Sequence, residues 1–78
     1  MIPAMDTRSH RQRMIELRAR IQSIIGGPAD RLALSWLDEA KVVARLRVGR
    51  GFAYQTFAVG QTDDALVDAV VAWTRAAS

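Results

Sequence analysis

The amino-acid sequence predicts an α+β fold in which three antiparallel strands lie between an N-terminal and a C-terminal helix, in the order α-β-β-β-α. Apolar residues recur at helical spacing near both ends of the chain, which predicts the two helices. Between them, residues 41–60 alternate in side-chain character and are interrupted at Gly49-Arg50-Gly51, which predicts a β-hairpin. The 78 residues are enough for a single small domain over residues 1–78.

The first helix is predicted over residues 8–25. Ser9 and Gln12 fit a capping box, in which a hydroxyl and an amide satisfy backbone groups of the first turn. Gly26-Gly27-Pro28 ends the helix, because glycine adopts the left-handed cap and proline cannot continue the helix. Residues 1–6 are expected to be a loose tail. The apolar stripe consists of Met14, Leu17, Ile21, Ile24 and Ile25.

Four arginines border this apolar stripe in two pairs, each spaced by seven residues. Arg11 and Arg18 follow one border, and Arg13 and Arg20 follow the other. Two basic borders beside an apolar stripe suit a partner helix with acidic flanks, or a phosphate backbone. The alternative is structural, because an arginine stem covers apolar surface while its charged head stays in water.

Residues 29–40 allow two interpretations. Leu32, Leu34 and Trp36 alternate as they would on one face of a strand. The segment also contains Leu, Ala and Glu, which are good helix formers, and a helix could begin at Pro28. We favour the strand, because its alternation runs into the hairpin.

The predicted hairpin carries four positive charges and no negative charge over residues 41–60. The length of its loop determines which side chains share a face, because a shift of one residue moves every side chain to the other face. A two-residue loop places Arg45 and Arg47 with Phe52 and Tyr54. A three-residue loop places them instead with Ala53, Gln55 and Phe57, which lie on the other face of the second strand.

Arg45 and Arg47 are expected to be exposed or paired with an acid. They alternate with the apolar residues of their strand, so they lie on the face away from most of the core. Burying a guanidinium without a partner is too costly, and any acid must come from outside residues 41–60. The candidate acids are Asp38, Glu39 and Asp68.

The last helix is predicted to begin at Thr62, whose hydroxyl is a good N-cap and is followed by two Asp residues. Val67 and Val71 widen its apolar stripe, which indicates either a homodimer interface through this helix or a groove against the first helix. We expect Trp73 to be largely buried, so that Trp73→Ala costs roughly 3–5 kcal/mol. The stripe consists of Leu66, Ala69, Val70, Trp73 and Ala77.

The sequence does not favour catalysis. Its single histidine, His10, lies at the edge of the first apolar stripe, where a packed or solvated side chain is the expected state. The chain has no cysteine, and its serines fit no nucleophile turn. We therefore expect no enzymatic activity, no cofactor and no metal site. The apolar runs are too short for a membrane span, so a cytoplasmic location is expected.

The order of elements and the chain length resemble the double-stranded RNA-binding domain. That family reads RNA partly through a basic, lysine-bearing start of its last helix. The matching place here is Thr62-Asp63-Asp64, whose carboxylates repel phosphate. The basic hairpin is then the element left for nucleic acid. The string Gly60-x-Thr62-x-x-Ala65-Leu66 is also similar to the strand-to-helix turn of HicB-type antitoxins.

A resemblance of type, without a shared motif, is to small anti-CRISPR proteins of phages. Those proteins are compact single domains, often α+β, that block a host nucleic-acid-handling complex by occupying its surface. The chain is similar in size, in its lack of catalytic residues and in its segregated charge. The resemblance implies a non-catalytic inhibitor that binds a host protein complex.

The sequence thus supports two functional hypotheses. The first is a protein-binding inhibitor of the anti-CRISPR type. The second is a small nucleic-acid-binding protein that uses the basic hairpin, where arginines and aromatic rings interleave. Both hypotheses use the same candidate partner-binding residues, which are Arg45, Arg47, Arg50, Tyr54, Arg11, Arg13, Arg18 and Arg20.

Overall fold

A computed structural model describes residues 9–38 and 40–77, and it confirms the α-β-β-β-α order. The elements are α1 (His10–Ile25), β1 (Leu32–Trp36), β2 (Lys41–Val48), β3 (Gly51–Ala58) and α2 (Asp63–Ala77). The sheet has the order β1-β2-β3, and both neighbouring pairs are antiparallel. Residues 29–40, for which a strand and a helix were both considered, therefore contain a strand, β1. The predicted tail, residues 1–6, lies outside the described residues.

The ends of α1 follow the predicted capping residues. The Gln12 backbone N–H donates to Ser9 Oγ at 3.0 Å, so the N-cap is confirmed. The Gln12 side-chain amide does not complete the predicted capping box, because its Nε2 donates to Glu16 Oε2 at 2.8 Å. At the other end, Gly26 has φ = 71° and donates its N–H to the Gln22 carbonyl at 2.8 Å, a backbone conformation that favours glycine.

The hairpin loop contains two residues, Gly49 and Arg50, because Val48 lies opposite Gly51. Gly49 has φ = 58°, whereas no described residue other than glycine has a positive φ. Glycine in the left-handed region at the first loop position is typical of a type II′ turn, whose twist matches that of the strands. The register is therefore that of the two-residue loop, which places Arg45 and Arg47 on the same face as Phe52 and Tyr54.

Both helices pack against the same face of the sheet. β2 alternates strictly, with Val42, Ala44 and Leu46 fully buried in the core between residues that are exposed or half-buried. α1 contacts β1, while α2 contacts β2, β3 and α1. The core consists of Met14, Leu17, Ile21, Leu32, Val42, Ala44, Leu46, Val59, Leu66, Val67, Val70 and Val71.

The wide apolar face of α2 is covered within the chain. Val67 and Val71 are both buried in the core, and α2 packs on α1, as the groove alternative predicts. Thr62 Oγ1 accepts from the Ala65 backbone N–H at 3.2 Å, which confirms the N-cap. The burial of the two valines explains their apolar character, and a homodimer through α2 stays a prediction.

Trp73 is mostly buried and packs against the core, as predicted, but it is not one of the fully buried residues. Its ring meets the edge of Phe57 at 5.8 Å between centroids and 71° between planes. The turn of α2 instead directs Val70 and Thr74 inward, and Thr74 Oγ1 donates to the Val71 carbonyl at 2.7 Å. Trp73 therefore covers the border of the core, and its removal is expected to cost less than the roughly 3–5 kcal/mol of a fully buried aromatic residue.

The orientation of α1 makes a prediction about two isoleucines. Ile21 is 0% exposed and Ile24 is 48% exposed. Ile21→Ala is expected to lower the free energy of unfolding by about 2–5 kcal/mol, because it leaves a cavity in the core. Ile24→Ala is the matched control and is expected to change it by less than about 0.5 kcal/mol. Urea denaturation followed by circular dichroism measures both, and equal effects would contradict the orientation of α1.

Candidate functional site

The face of the sheet opposite the two helices is not covered by any described element. The alternation of β2 places its cations there, and the register brings Tyr54 opposite Arg45 and Phe52 opposite Arg47. On the other side of β2, Ala33 lies opposite Arg45. We call this surface the outer face. Its residues are Ala33, Ser35, Lys41, Val43, Arg45, Arg47, Phe52, Tyr54, Thr56 and Ala58.

Two aromatic rings dominate the β3 side of the outer face. Phe52 is 50% exposed and Tyr54 is 62% exposed, and their ring centroids are 6.5 Å apart. The guanidinium of Arg45 lies over the Phe52 ring, with Cζ 4.8 Å from the centroid. This cation–π contact holds the arginine against one ring, and Tyr54 is the more accessible of the two.

The outer face is cationic. Lys41 and Arg45 are exposed, and Arg50 is exposed in the hairpin loop. Arg47 forms an ion pair with Asp30 at 3.1 Å, with both side chains more than half exposed. Such a pair contributes little to stability and exchanges readily with another anion.

The expectation that Arg45 and Arg47 are exposed or paired is confirmed, although the pairing acid is Asp30 and was not among the three candidates. Asp38 caps the backbone N–H of Ala40 at 2.8 Å. Glu39 lies outside the described residues.

Arg13 joins α1 to the connection between β3 and α2. Its Nε donates to Asp63 Oδ1 at 3.0 Å, its Nη1 to the Val59 carbonyl at 3.1 Å and its Nη2 to the Gln61 carbonyl at 3.3 Å. The side chain is only 16% exposed. These contacts hold the start of α2 against α1, so this candidate binding residue has a structural task.

Arg20, on the same border of α1, forms an ion pair with Asp64. The sequence predicts Asp63 and Asp64 only as part of the helix start, and neither ion pair was predicted. Two arginines seven residues apart on α1 and two adjacent acids at the start of α2 were the available signal. It becomes informative only once the packing of α2 beside α1 is known.

The other border of α1 lines a groove with a volume of about 390 Å³. Arg11 and Arg18 belong to it, and Leu34 contributes from β1. Arg18 Nη1 is buried and has no hydrogen-bond partner among the described residues. The two arginine pairs of α1 therefore differ, since one is used within the chain and the other faces a partly apolar groove. The groove is lined by Arg11, Met14, Ile15, Arg18, Ala19 and Leu34.

His10 contacts the end of β1. Its ring stacks on Trp36 with 4.2 Å between centroids, and Trp36 Nε1 donates to the His10 carbonyl at 2.9 Å. These contacts attach the start of α1 to the sheet. The sequence predicts a packed or solvated side chain, and His10 is exposed to solvent with its ring stacked on Trp36.

Comparison of the chain with protein-family models, with curated proteins and with solved structures found no match. Neither α1 nor α2 combines the length and the apolar character that crossing a membrane requires. Within residues 9–38 and 40–77, no three His, Asp or Glu side chains form a group that could hold a metal ion.

The contacts of Arg13 make a prediction about stability. Arg13→Met keeps the apolar stem and removes the guanidinium, and with it the hydrogen bonds to Asp63 and to two carbonyls. We expect the free energy of unfolding to fall by about 1.5–3 kcal/mol, as for other hydrogen bonds to charged groups. The control is Arg20→Met, because its ion pair with Asp64 is largely exposed and should contribute at most about 1 kcal/mol. Thermal melting measures both, and a smaller effect for Arg13 than for Arg20 would refute the assignment.

Proposed function

We propose that the protein is a non-catalytic binding module that docks single-stranded nucleic acid on the outer face. The observation that carries the proposal is the pair of exposed rings, Phe52 and Tyr54, beside three cations on a sheet face that no described element covers. Proteins that bind single-stranded nucleic acid without sequence preference combine aromatic side chains, on which the bases stack, with a positively charged groove for the phosphate backbone. The cations of the outer face are Lys41, Arg45 and Arg47.

Tyr54 is the better stacking position of the two rings. The Arg45 guanidinium already lies over the Phe52 ring, whereas Tyr54 is 62% exposed. A base stacked on Tyr54 would place its phosphate close to Arg45, the cross-strand neighbour of Tyr54. Cross-strand neighbours on one face lie about 5 Å apart. One base and one phosphate can therefore be held by two adjacent side chains.

The narrow shape of the outer face also suits a single nucleic-acid strand. Eight-residue strands are about 27 Å long, and three strands are about 10 Å across. The flat area is then a long, narrow strip of at most roughly 300 Å², since β1 has only five residues. A single strand running along the sheet needs only this narrow footprint.

The start of α2 does not support the mode of RNA binding used by double-stranded RNA-binding domains. Asp63 and Asp64 lie there and are paired with Arg13 and Arg20. The pairs leave little net positive charge for a phosphate. Charge and aromatic rings instead coincide on the opposite side of the molecule, at the hairpin.

The proposal predicts different effects for Tyr54→Ala and Arg45→Glu. Tyr54→Ala removes a stacking surface worth about 1–3 kcal/mol, so affinity for a short single strand should fall by about 5–150-fold with the salt dependence unchanged. Arg45→Glu should weaken binding and reduce the slope of log K against log salt by about 0.7, the contribution of one phosphate contact on a single strand. Fluorescence anisotropy with labelled single-stranded DNA and RNA at several salt concentrations measures both.

The control for charge is Arg75→Glu, which changes the net charge equally at an exposed position near the end of α2. It should bind nearly as well as the parent. Each variant is first checked by thermal melting. No binding by the folded parent at micromolar concentration and low salt would refute the proposal, as would equal losses in Arg75→Glu and Arg45→Glu.

A second candidate function is protein binding through the groove beside α1, as in an inhibitor that masks a host nucleic-acid-handling complex such as CRISPR-Cas. The observation that favours it is Arg18, whose Nη1 is buried without a partner in this partly apolar groove. Arg11 lies seven residues away on the same helix face, about 10 Å along the helix axis. An acidic segment with apolar residues between its carboxylates fits that arrangement.

The second candidate predicts that Arg18→Glu abolishes capture of an acidic host partner, because a carboxylate in the groove repels the acids that would bind there. Arg20→Glu, on the opposite border of α1, should retain capture. A pull-down with purified host defence complexes as prey measures the effect. Retained capture by Arg18→Glu would exclude the groove. Loss in Arg45→Glu alone would assign protein binding to the outer face.

A further inference from the structure

The register of the hairpin determines which peptide groups of β3 face away from the sheet. The Val59 backbone N–H donates to the carbonyl of Ala40, its opposite residue, at 2.9 Å. Hydrogen-bonded and non-hydrogen-bonded pairs alternate along an antiparallel ladder. The odd-numbered residues of β3 therefore bond to β2, and the even-numbered residues direct their N–H and C=O groups to the free edge. These residues are Phe52, Tyr54, Thr56 and Ala58.

The free edge of β3 lacks the usual protection against pairing. The Ala58 carbonyl accepts from Gln61 Nε2 at 2.7 Å. The structure contains no partner from the described part of the chain for the outward groups of Phe52, Tyr54 and Thr56. The eight residues of β3 include no charge and no proline, although long edge strands normally carry such residues to prevent pairing.

The other edge of the sheet is different. β1 has five residues, and α1 contacts β1. Leu34 of β1 lines the groove beside α1. β3 is the longer of the two edges, and its own helix contact is with α2.

We propose that β3 pairs with β3 of a second copy of this chain, antiparallel about a two-fold axis at Tyr54. This register places Tyr54 opposite its own copy and Phe52 opposite Thr56 of the other copy, on both sides of the axis. All three residues with free outward groups are then used, and each of the three pairs exchanges two hydrogen bonds. No other position of the two-fold axis along β3 pairs the outward groups of Phe52, Tyr54 and Thr56 together.

Charge and side-chain chemistry favour a second copy as the occupant. β3 has no charged residue, so pairing with itself opposes no like charges. The Arg45 guanidinium lies over Phe52 of β3, and in this register the two Phe52 residues are four residues apart along the paired strands, about 13 Å. That distance exceeds the Debye length of about 8 Å at physiological ionic strength. The exposed rings of Phe52 and Tyr54 would gain aromatic and β-branched neighbours across the dimer.

Pairing would join two three-stranded sheets into one of six strands. Directly opposed residues of an antiparallel pair point to the same side, so the two outer faces would become continuous. The dimer would then offer nucleic acid an outer face of twice the size. That consequence rests on the proposed function, whereas the dimer itself does not. An edge-only contact is smaller than a standard interface, so a concentration-dependent equilibrium between monomer and dimer is expected.

The test is sedimentation velocity of the full chain without nucleic acid, from low to high micromolar concentration. The parent should change from monomer to dimer with concentration. Thr56→Pro removes an outward N–H that β2 does not use, so it should stay folded and remain monomeric at every concentration. Thr56→Val keeps the N–H and should dimerise like the parent. A parent that is monomeric throughout, or a Thr56→Pro protein that dimerises like Thr56→Val, would overturn the proposal.

Tyr54→Lys keeps the proposal testable if Thr56→Pro fails to fold. It places two like charges opposite each other at the two-fold axis at an exposed position, and it should abolish the dimer, whereas Tyr54→Phe should retain it. Hydrogen exchange gives a direct readout, because the amides of Phe52, Tyr54 and Thr56 should become protected only at high protein concentration. A dimer that persists in Tyr54→Lys with these amides unprotected would exclude β3 and favour an interface through α2.

Discussion

The strict alternation of β2 is the constraint on which the rest of the structure depends. β2 is the central strand, so its alternation orients both neighbours through the ladder. Its apolar residues Val42, Ala44 and Leu46 are fully buried, and both helices must cover that side. Its cations are therefore collected on the other side, because successive side chains of a strand point to opposite faces. Core and candidate binding surface are two consequences of one pattern.

The elements that depend on local sequence could be predicted. Ser9, Gly26 and Thr62 mark helix ends through hydrogen bonds or backbone conformations that involve only a few neighbouring residues, and the capping chemistry is visible in the sequence. The exposure of Arg45 and Arg47 followed from alternation alone. The loop length did not follow, because Gly49-Arg50-Gly51 permits two registers. Only the pairing of Val48 with Gly51 resolves it.

The roles of the α1 arginines could not be predicted, because they depend on contacts between residues distant in the sequence. Arg13 and Asp63 are 50 residues apart, and nothing near either residue indicates the other. The same helix periodicity that placed Arg11, Arg13, Arg18 and Arg20 in two pairs cannot tell which pair faces α2. For a related reason the sequence did not show that Trp73 lies at the border of the core, since apolar periodicity gives the width of a stripe and not the rotation of the helix on the sheet.

The uncovered sheet face follows from the size of the domain and is not by itself evidence of function. Two helices of 16 and 15 residues cover one side of three strands, and no further described element covers the other. What distinguishes this face is the choice of residues. A merely solvated face would be satisfied by Thr, Lys and Glu, whereas here Phe52 and Tyr54 remain half-exposed beside Arg45. Exposed aromatic side chains add to the aggregation hazard of an unprotected edge strand. Their combination with Lys41, Arg45 and Arg47, the last in an exposed pair with Asp30, is the basis on which we propose a ligand that needs both.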